Sequence, residues 1–100
     1  MENKRNNIII KLKHIVMIQR ATMRIFEAQD QDYPDNRTVA NNERAIQYWL
    51  NKITFNIEFQ REIHKVIERN NFNAKDLTYK CICDQLRALG YVVDSECQKD

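Results

Sequence analysis

Ile53-Thr54-Phe55-Asn56-Ile57-Glu58-Phe59 is the stretch on which the fold class turns. Taken alone, its apolar residues at every second position are the pattern of a half-buried strand. No glycine or proline bounds it, however, and its flanks follow another period. Wound at about 100° per residue, Ile46, Trp49, Leu50, Ile53 and Ile57 gather on one face, with Tyr48, Phe55, Phe59, Ile63 and Val66 on an adjoining one. Arg44, Gln47, Asn51, Glu58, Glu62, Lys65 and Arg69 take the remaining sector. The spacing predicts a long central helix over about residues 40 to 70, straight or kinked, or two helices meeting near Thr54 to Asn56. A strand in this segment is the competing reading.

Working outward toward the N-terminus, Ile8, Leu12, Ile15, Thr22, Ile25 and Phe26 recur at spacings of three, four and seven, and Ile9, Val16 and Met23 widen the stripe. Ile8, Ile10 and Leu12 also alternate with Lys11 and Lys13, but the alternation ends at Ile15-Val16-Met17-Ile18 while the helical stripe runs on. An amphipathic helix is therefore expected over about residues 6 to 28. Residues 29 to 37 hold Pro34 and three aspartates with no apolar period, which marks the main loop. Pro34 biases Tyr33 toward extended backbone, and Thr38 or Asn41 is then placed to cap the next helix.

Toward the C-terminus, Asn71-Phe72-Asn73 reads as a connector. Tyr79, Ile82, Leu86 and Leu89 mark a short last helix, and Gly90 falls where a left-handed residue ends a helix. In that motif Tyr91 packs against Leu86. Residues 94 to 100 read as a loose polar tail. The expected fold is all-α, a single domain over residues 1–100 built as a small bundle of three to four helices. One glycine and one proline among 100 residues leave little else to interrupt helices.

Apolar residues make up 43% of the chain and charged residues 30%, a globular balance rather than that of a disordered chain. The longest apolar run, Ile15 to Ile18, is far short of the roughly 20 residues of a membrane span, and Lys11, Lys13 and His14 break the apolar block a signal peptide needs. No membrane association is expected. Cys81, Cys83 and Cys97 cannot all pair within one chain. They read as reduced thiols and place the protein inside the cell, cytoplasmic, or nuclear in a eukaryotic or viral host. The frequent Asn, Ile and Lys fit an AT-rich genome such as that of a virus, a mobile element or an AT-rich microbe.

Candidate chemistry is sparse. Cys81 and Cys83, with Cys97 and His14 or His64, compose a zinc-compatible set by residue type, but residues two apart on a helix point about 200° from one another. No metal or other cofactor is expected. Neither histidine has a nucleophile or carboxylate spaced to make it a general base, and one glycine allows no Gly-rich phosphate loop. The chain is expected to be no enzyme and to take no small-molecule substrate. Glu58 and Glu62 are placed to pair with Arg61 or Lys65 along the helix.

Charge is more informative. Residues 1 to 25 set Lys4, Arg5, Lys11, Lys13, Arg20 and Arg24 against Glu2 alone, whereas residues 26 to 36 carry Glu27, Asp30, Asp32 and Asp35 without a cation. Lys13, Arg20 and Arg24 share one helical face that suits phosphates or an acidic partner. Residues 77 to 91 resemble the first helix and turn of a helix-turn-helix, with Gly90 at the turn, but the residues after Tyr91 include Asp94, Glu96 and Asp100 rather than a recognition helix. The formal net charge of +2 is low for a dedicated nucleic-acid binder. The leading expectation is a helical protein–protein interaction module, a regulator, inhibitor or accessory subunit that docks on a larger partner or on itself. Ile8, Met17, Met23, Tyr48, Trp49 and Phe55 are its anchor candidates. The alternative is a nucleic-acid-associated regulator acting through Lys13, Arg20 and Arg24.

Overall fold

A computed structural model describes residues 5–33, 35–70 and 75–94. A 3-10 turn at Arg5–Asn7 leads into β1 (Ile9–Lys11), α1 (Leu12–Gln29), α2 (Asn36–Ile53), α3 (Ile57–Arg69), α4 (Lys75–Ala88) and β2 (Val92–Asp94). The protein is thus a small all-α bundle of four helices with a minor two-stranded sheet. Pro34, the 71–73 connector, Cys97 and the tail after Asp94 lie outside the described residues.

The stretch at 53–59 resolves as the joint of two helices. Thr54 and Asn56 are extended, and the side chain of Asn56 accepts the backbone N–H of Phe59 at 3.0 Å, which caps α3. Period-two spacing there reflects three non-helical residues between helices rather than a strand. Asn56→Ala should cost about 1 kcal/mol in urea unfolding, whereas Asn56→Asp should keep most of that stability, because Asp accepts the same bond.

α2 begins earlier than its expected cap. Asp35, not Thr38 or Asn41, is the N-cap: its carboxylate accepts the Thr38 amide at 3.2 Å and the Thr38 hydroxyl at 2.6 Å. These bonds satisfy first-turn donors, so the helix starts at Asn36.

The largest departure lies at the two ends. The helix expected from residue 6 starts at Leu12, because Ile9–Lys11 pair in parallel with Val92–Asp94, in the register Ile9 to Val92, Ile10 to Val93 and Lys11 to Asp94. Asp94 is accordingly strand and not tail. Ile10 and Val93 face inward and are buried, while Ile9 and Val92 face solvent.

Gly90 behaves as its sequence context implies. It has φ +109°, its N–H donates to the Arg87 carbonyl at 2.9 Å, and the Tyr91 N–H donates to the Leu86 carbonyl at 3.1 Å. Those two bonds form a Schellman cap, and Leu86 and Tyr91 are both buried in one cluster. A strand, not a recognition helix, follows it.

Ile15 and Ile18 from α1, Ile46 and Leu50 from α2, Ile63, Val66 and Ile67 from α3, and Ile82, Cys83 and Leu86 from α4 form a continuous core with Ile8, Ile10, Tyr91 and Val93. Each fully buried aliphatic side chain contributes about 1.5–3 kcal/mol. Polar ties set the relative placement of the helices. Gln60, buried on α3, donates to Asn51 Oδ1 at 2.8 Å and to the Thr54 carbonyl at 2.7 Å, and accepts from Gln47 at 2.9 Å. The Tyr79 hydroxyl donates to the buried Gln19 at 2.8 Å and so joins α4 to α1. Glu62 pairs not with Arg61 or Lys65 but with Arg5, bidentate at 2.8 and 3.1 Å, and also accepts the Tyr91 hydroxyl. The Arg5 guanidinium, first through its hydrogen bond, holds the Glu62 carboxyl below the usual range.

Candidate docking cleft and basic face

α1, α2 and α3 enclose a cleft of about 550 Å³. Ile25 of α1 and Ile46 and Leu50 of α2 supply its apolar floor, and Ile57 at the start of α3 forms a lip. Two residues before Ile57, Phe55 projects from the joint with 81% of its surface exposed, second only to Tyr33 among the large apolar side chains of the described residues. Glu43, Arg61, His64 and Glu68 make the polar rim. Arg61 lies one turn from the joint, whereas Glu43 and Glu68 lie farther along α2 and α3. The two carboxylates that line the cleft, Glu43 and Glu68, thus stand away from the joint.

Thr22, His64 and Glu68 superficially suggest a hydroxyl, a base and an orienting carboxylate. The Thr22 hydroxyl, however, donates to the Ile18 carbonyl at 2.8 Å, and its contact with His64 Nε2 is 3.5 Å. Its proton is committed to the backbone, so Thr22 is not an activated nucleophile. Burial lowers the His64 pKa, with Glu68 opposing the shift. Because the unfolded histidine titrates near pH 6.5, the unfolded chain binds more protons as pH falls below that value, and stability drops with it. Urea midpoints are expected to fall between pH 7.5 and 5.5, and His64→Gln to reduce the slope, the remainder coming from His14, whose pKa is also lowered by burial. Loss of stability on raising the pH through the same window would contradict the assignment. Glu62, whose carboxyl is shifted downward, contributes only at lower pH.

The anchor candidates separate on folding. Ile8 is buried in the core and unavailable to a partner, a consequence of β1 pairing that turns the segment inward. Met17 and Trp49 are half-buried, with Trp49 packed against the core, and Met23, Tyr48 and Phe55 are exposed. Phe55 stands near the cleft, whereas Tyr48 and Trp49 belong to a different surface. His14 lies 5.8 Å from Trp49 by ring centroids, Tyr48 meets Trp49 edge-on at 5.0 Å, and Lys52 sits over the Tyr48 ring at 5.1 Å. Lys13, Arg20 and Arg24 are all exposed on the outer side of α1, as their shared face implies. Cys81 is exposed and Cys83 buried, so the two thiols diverge, and burial raises the Cys83 pKa. Among the described residues no group of three or more histidine, cysteine or carboxylate side chains converges as metal ligands do.

Ile57, Glu43, Arg61, His64 and Glu68 were not singled out from the sequence as a binding surface. Ile57 carried one signal: it is the apolar residue that follows the Asn56 cap, where a helix starts and its first turn is readily exposed. The rim residues carried none, because their meeting depends on how α2 and α3 are set against α1. No described helix is long and apolar enough to cross a membrane. Compared with known proteins, the chain matches no family model, no curated protein and no solved structure.

Proposed function

We propose that this chain is a small docking module that holds an amphipathic helical segment of a larger protein in the cleft between α1, α2 and α3. The observation that carries this reading is the apolar floor of Ile25, Ile46 and Leu50, continued to the surface by Ile57, with Phe55 exposed two residues before it, and bordered by charged residues. Helix-in-groove recognition needs a few apolar anchors at i, i+3, i+4 and i+7 and a polar rim, and a protruding aromatic beside such a groove is a common energetic centre. The acidic far end, with Glu43 and Glu68, suits a segment with a lysine or arginine at one terminus. Acting by docking, the module serves as a regulator, inhibitor or accessory subunit and performs no catalysis of its own; the committed Thr22 hydroxyl supports that.

A photo-crosslinking residue placed at position 57, with position 92 as a control, tests the reading in the native host. The expected result is a heteromeric adduct from position 57 alone, mapping to an amphipathic segment and weakened by Phe55→Ala in folded protein. Homomeric adducts would assign the cleft to a second copy of the chain. Equal adducts from both positions would overturn the cleft altogether.

A further inference from the structure

We propose that the outer face of the α1–α2 hairpin, carrying Lys13, Arg20 and Arg24 on α1 and Lys52 beside Tyr48 on α2, binds the phosphate backbone of double-stranded DNA without reading its sequence. This surface is distinct from the docking cleft. On α1, His14 lies toward α2 and Thr22 toward α3, and Ile15, Ile18, Ala21 and Ala28 are buried, so at 100° per residue Lys13, Arg20 and Arg24 point away from the body. On α2, Glu43 and Gln47 border the cleft, and Lys52 and Tyr48 occupy the opposite side. The His14–Trp49 contact brings the start of α1 beside the end of α2, where Lys13 and Lys52 both act on His14.

All four cations are exposed, and none forms an ion pair among the described residues, unlike Arg5, Lys80 and Arg87. Lys11 faces Asp94 across the sheet and is not counted. The stripe ends at Glu27, which confines the face to the first four turns of α1.

A second observation concerns α1 itself. Its N-cap is Lys11, with no side-chain cap, and its first turn holds no carboxylate but does hold Lys13. Cations at a helix N-terminus oppose the helix dipole and cost stability locally. The same arrangement concentrates positive potential where a phosphate gains most. The His14 pKa is lowered by burial first and then by Lys11 at the end of β1, Lys13 on α1 and Lys52 on α2.

The occupant follows from the chemistry of the surface. Protein interfaces exclude lysine from their centres, whereas this face is centred on cations. An interfacial membrane helix needs an apolar half to insert, and the aliphatic stripe of α1 is turned into the core. A single strand needs free aromatic platforms, but the Tyr48 ring is engaged by Lys52 and Trp49. A row of three cations on α1, with Lys52 on the neighbouring helix about 8–10 Å away, suits one phosphate row and a contact across a B-form major groove about 12 Å wide. Duplex RNA closes that groove. Lys13 to Arg24 spans about 16 Å, a length over which B-DNA offers roughly ten phosphates.

The test is fluorescence anisotropy with a labelled 20-bp duplex of arbitrary sequence, using the full chain. Four phosphate contacts predict a slope of log K against log salt of about −3.6, so that affinity falls roughly 100-fold between 50 and 200 mM salt. A permuted duplex should bind equally. Lys13→Gln/Arg20→Gln/Arg24→Gln should reduce the slope to about −1, while Arg20→Lys/Arg24→Lys should retain it, since charge alone is required. Circular dichroism checks that the variants are folded, and if the triple change unfolds the chain, Lys52→Gln alone should lower the slope magnitude by about 1. No saturable binding at 50 mM salt overturns the proposal, as does a slope unchanged in folded variants. Tighter binding of the corresponding single strand, of duplex RNA, or of phosphatidylserine vesicles overturns it equally.

Discussion

Ile10→Ala is expected to destabilise the protein by about 2–5 kcal/mol, while Ile9→Ala, one residue away, should cost less than about 1 kcal/mol. The two residues share a strand of three and differ in the face they occupy. Ile10 is fully buried against the core opposite Val93, and Ile9 is 57% exposed opposite Val92. Truncating Ile10 removes its transfer energy and leaves a cavity that α1 and α4 are not free to fill. Since small domains hold only about 5–15 kcal/mol in total, the variant should show a measurably populated unfolded state in water or a greatly lowered urea midpoint. A larger loss at Ile9 than at Ile10 would mean that the strand register is shifted by one residue, which exchanges the faces of every side chain, and equal losses would contradict the inward placement of Ile10.

Gly90→Val should cost about 2–3 kcal/mol and Gly90→Ala about 1–2 kcal/mol. At φ +109° an L-residue is strained whatever the surrounding space. Space is not the main obstacle, because a Cβ built there would lie 3.5 Å from Arg5 Cβ, an ordinary contact. The branched valine adds pressure on Arg5, whose guanidinium holds Glu62, so the clamp closing the N-terminal segment onto α3 should loosen as well. Thermal unfolding reads the difference: at roughly 4–8 °C per kcal/mol for a chain of this size, the valine variant should melt at least 8 °C lower. Equal melting temperatures for Gly, Ala and Val would show that the cap bonds do not require the left-handed residue.

These two positions mark the two kinds of information in the chain. Gly90 was legible because a helix stop is local chemistry: an apolar repeat ending at Leu89, one glycine, and Tyr91 two positions past the last turn. Ile10 was not. A three-residue strand has no period of its own, and its partner lies more than 80 residues away, in a parallel pairing that needs the whole helical body as its crossover. The segment therefore took the stronger local signal, the helical stripe of α1, and Ile8 became a surface anchor candidate although it is core.

The surfaces divide in the same way. The common exposure of Lys13, Arg20 and Arg24 follows from 3.6 residues per turn and from the apolar stripe opposite them. Lys52 joins them only because α2 packs antiparallel to α1, and no spacing along the chain encodes that contact. The alternation at 53–59 could announce a break in regular helix but not choose between a kink and a joint. That choice rested on Asn56 capping α3 and on Gln60 holding α2 and α3 together. By itself the sequence determined the helices, the Gly90 stop and the basic face of α1, since each depends on residues within a few turns of one another. The terminal sheet, the cleft and the burial of Ile8 were decided only by tertiary structure, because they arise where distant segments compete to cover the same apolar surface.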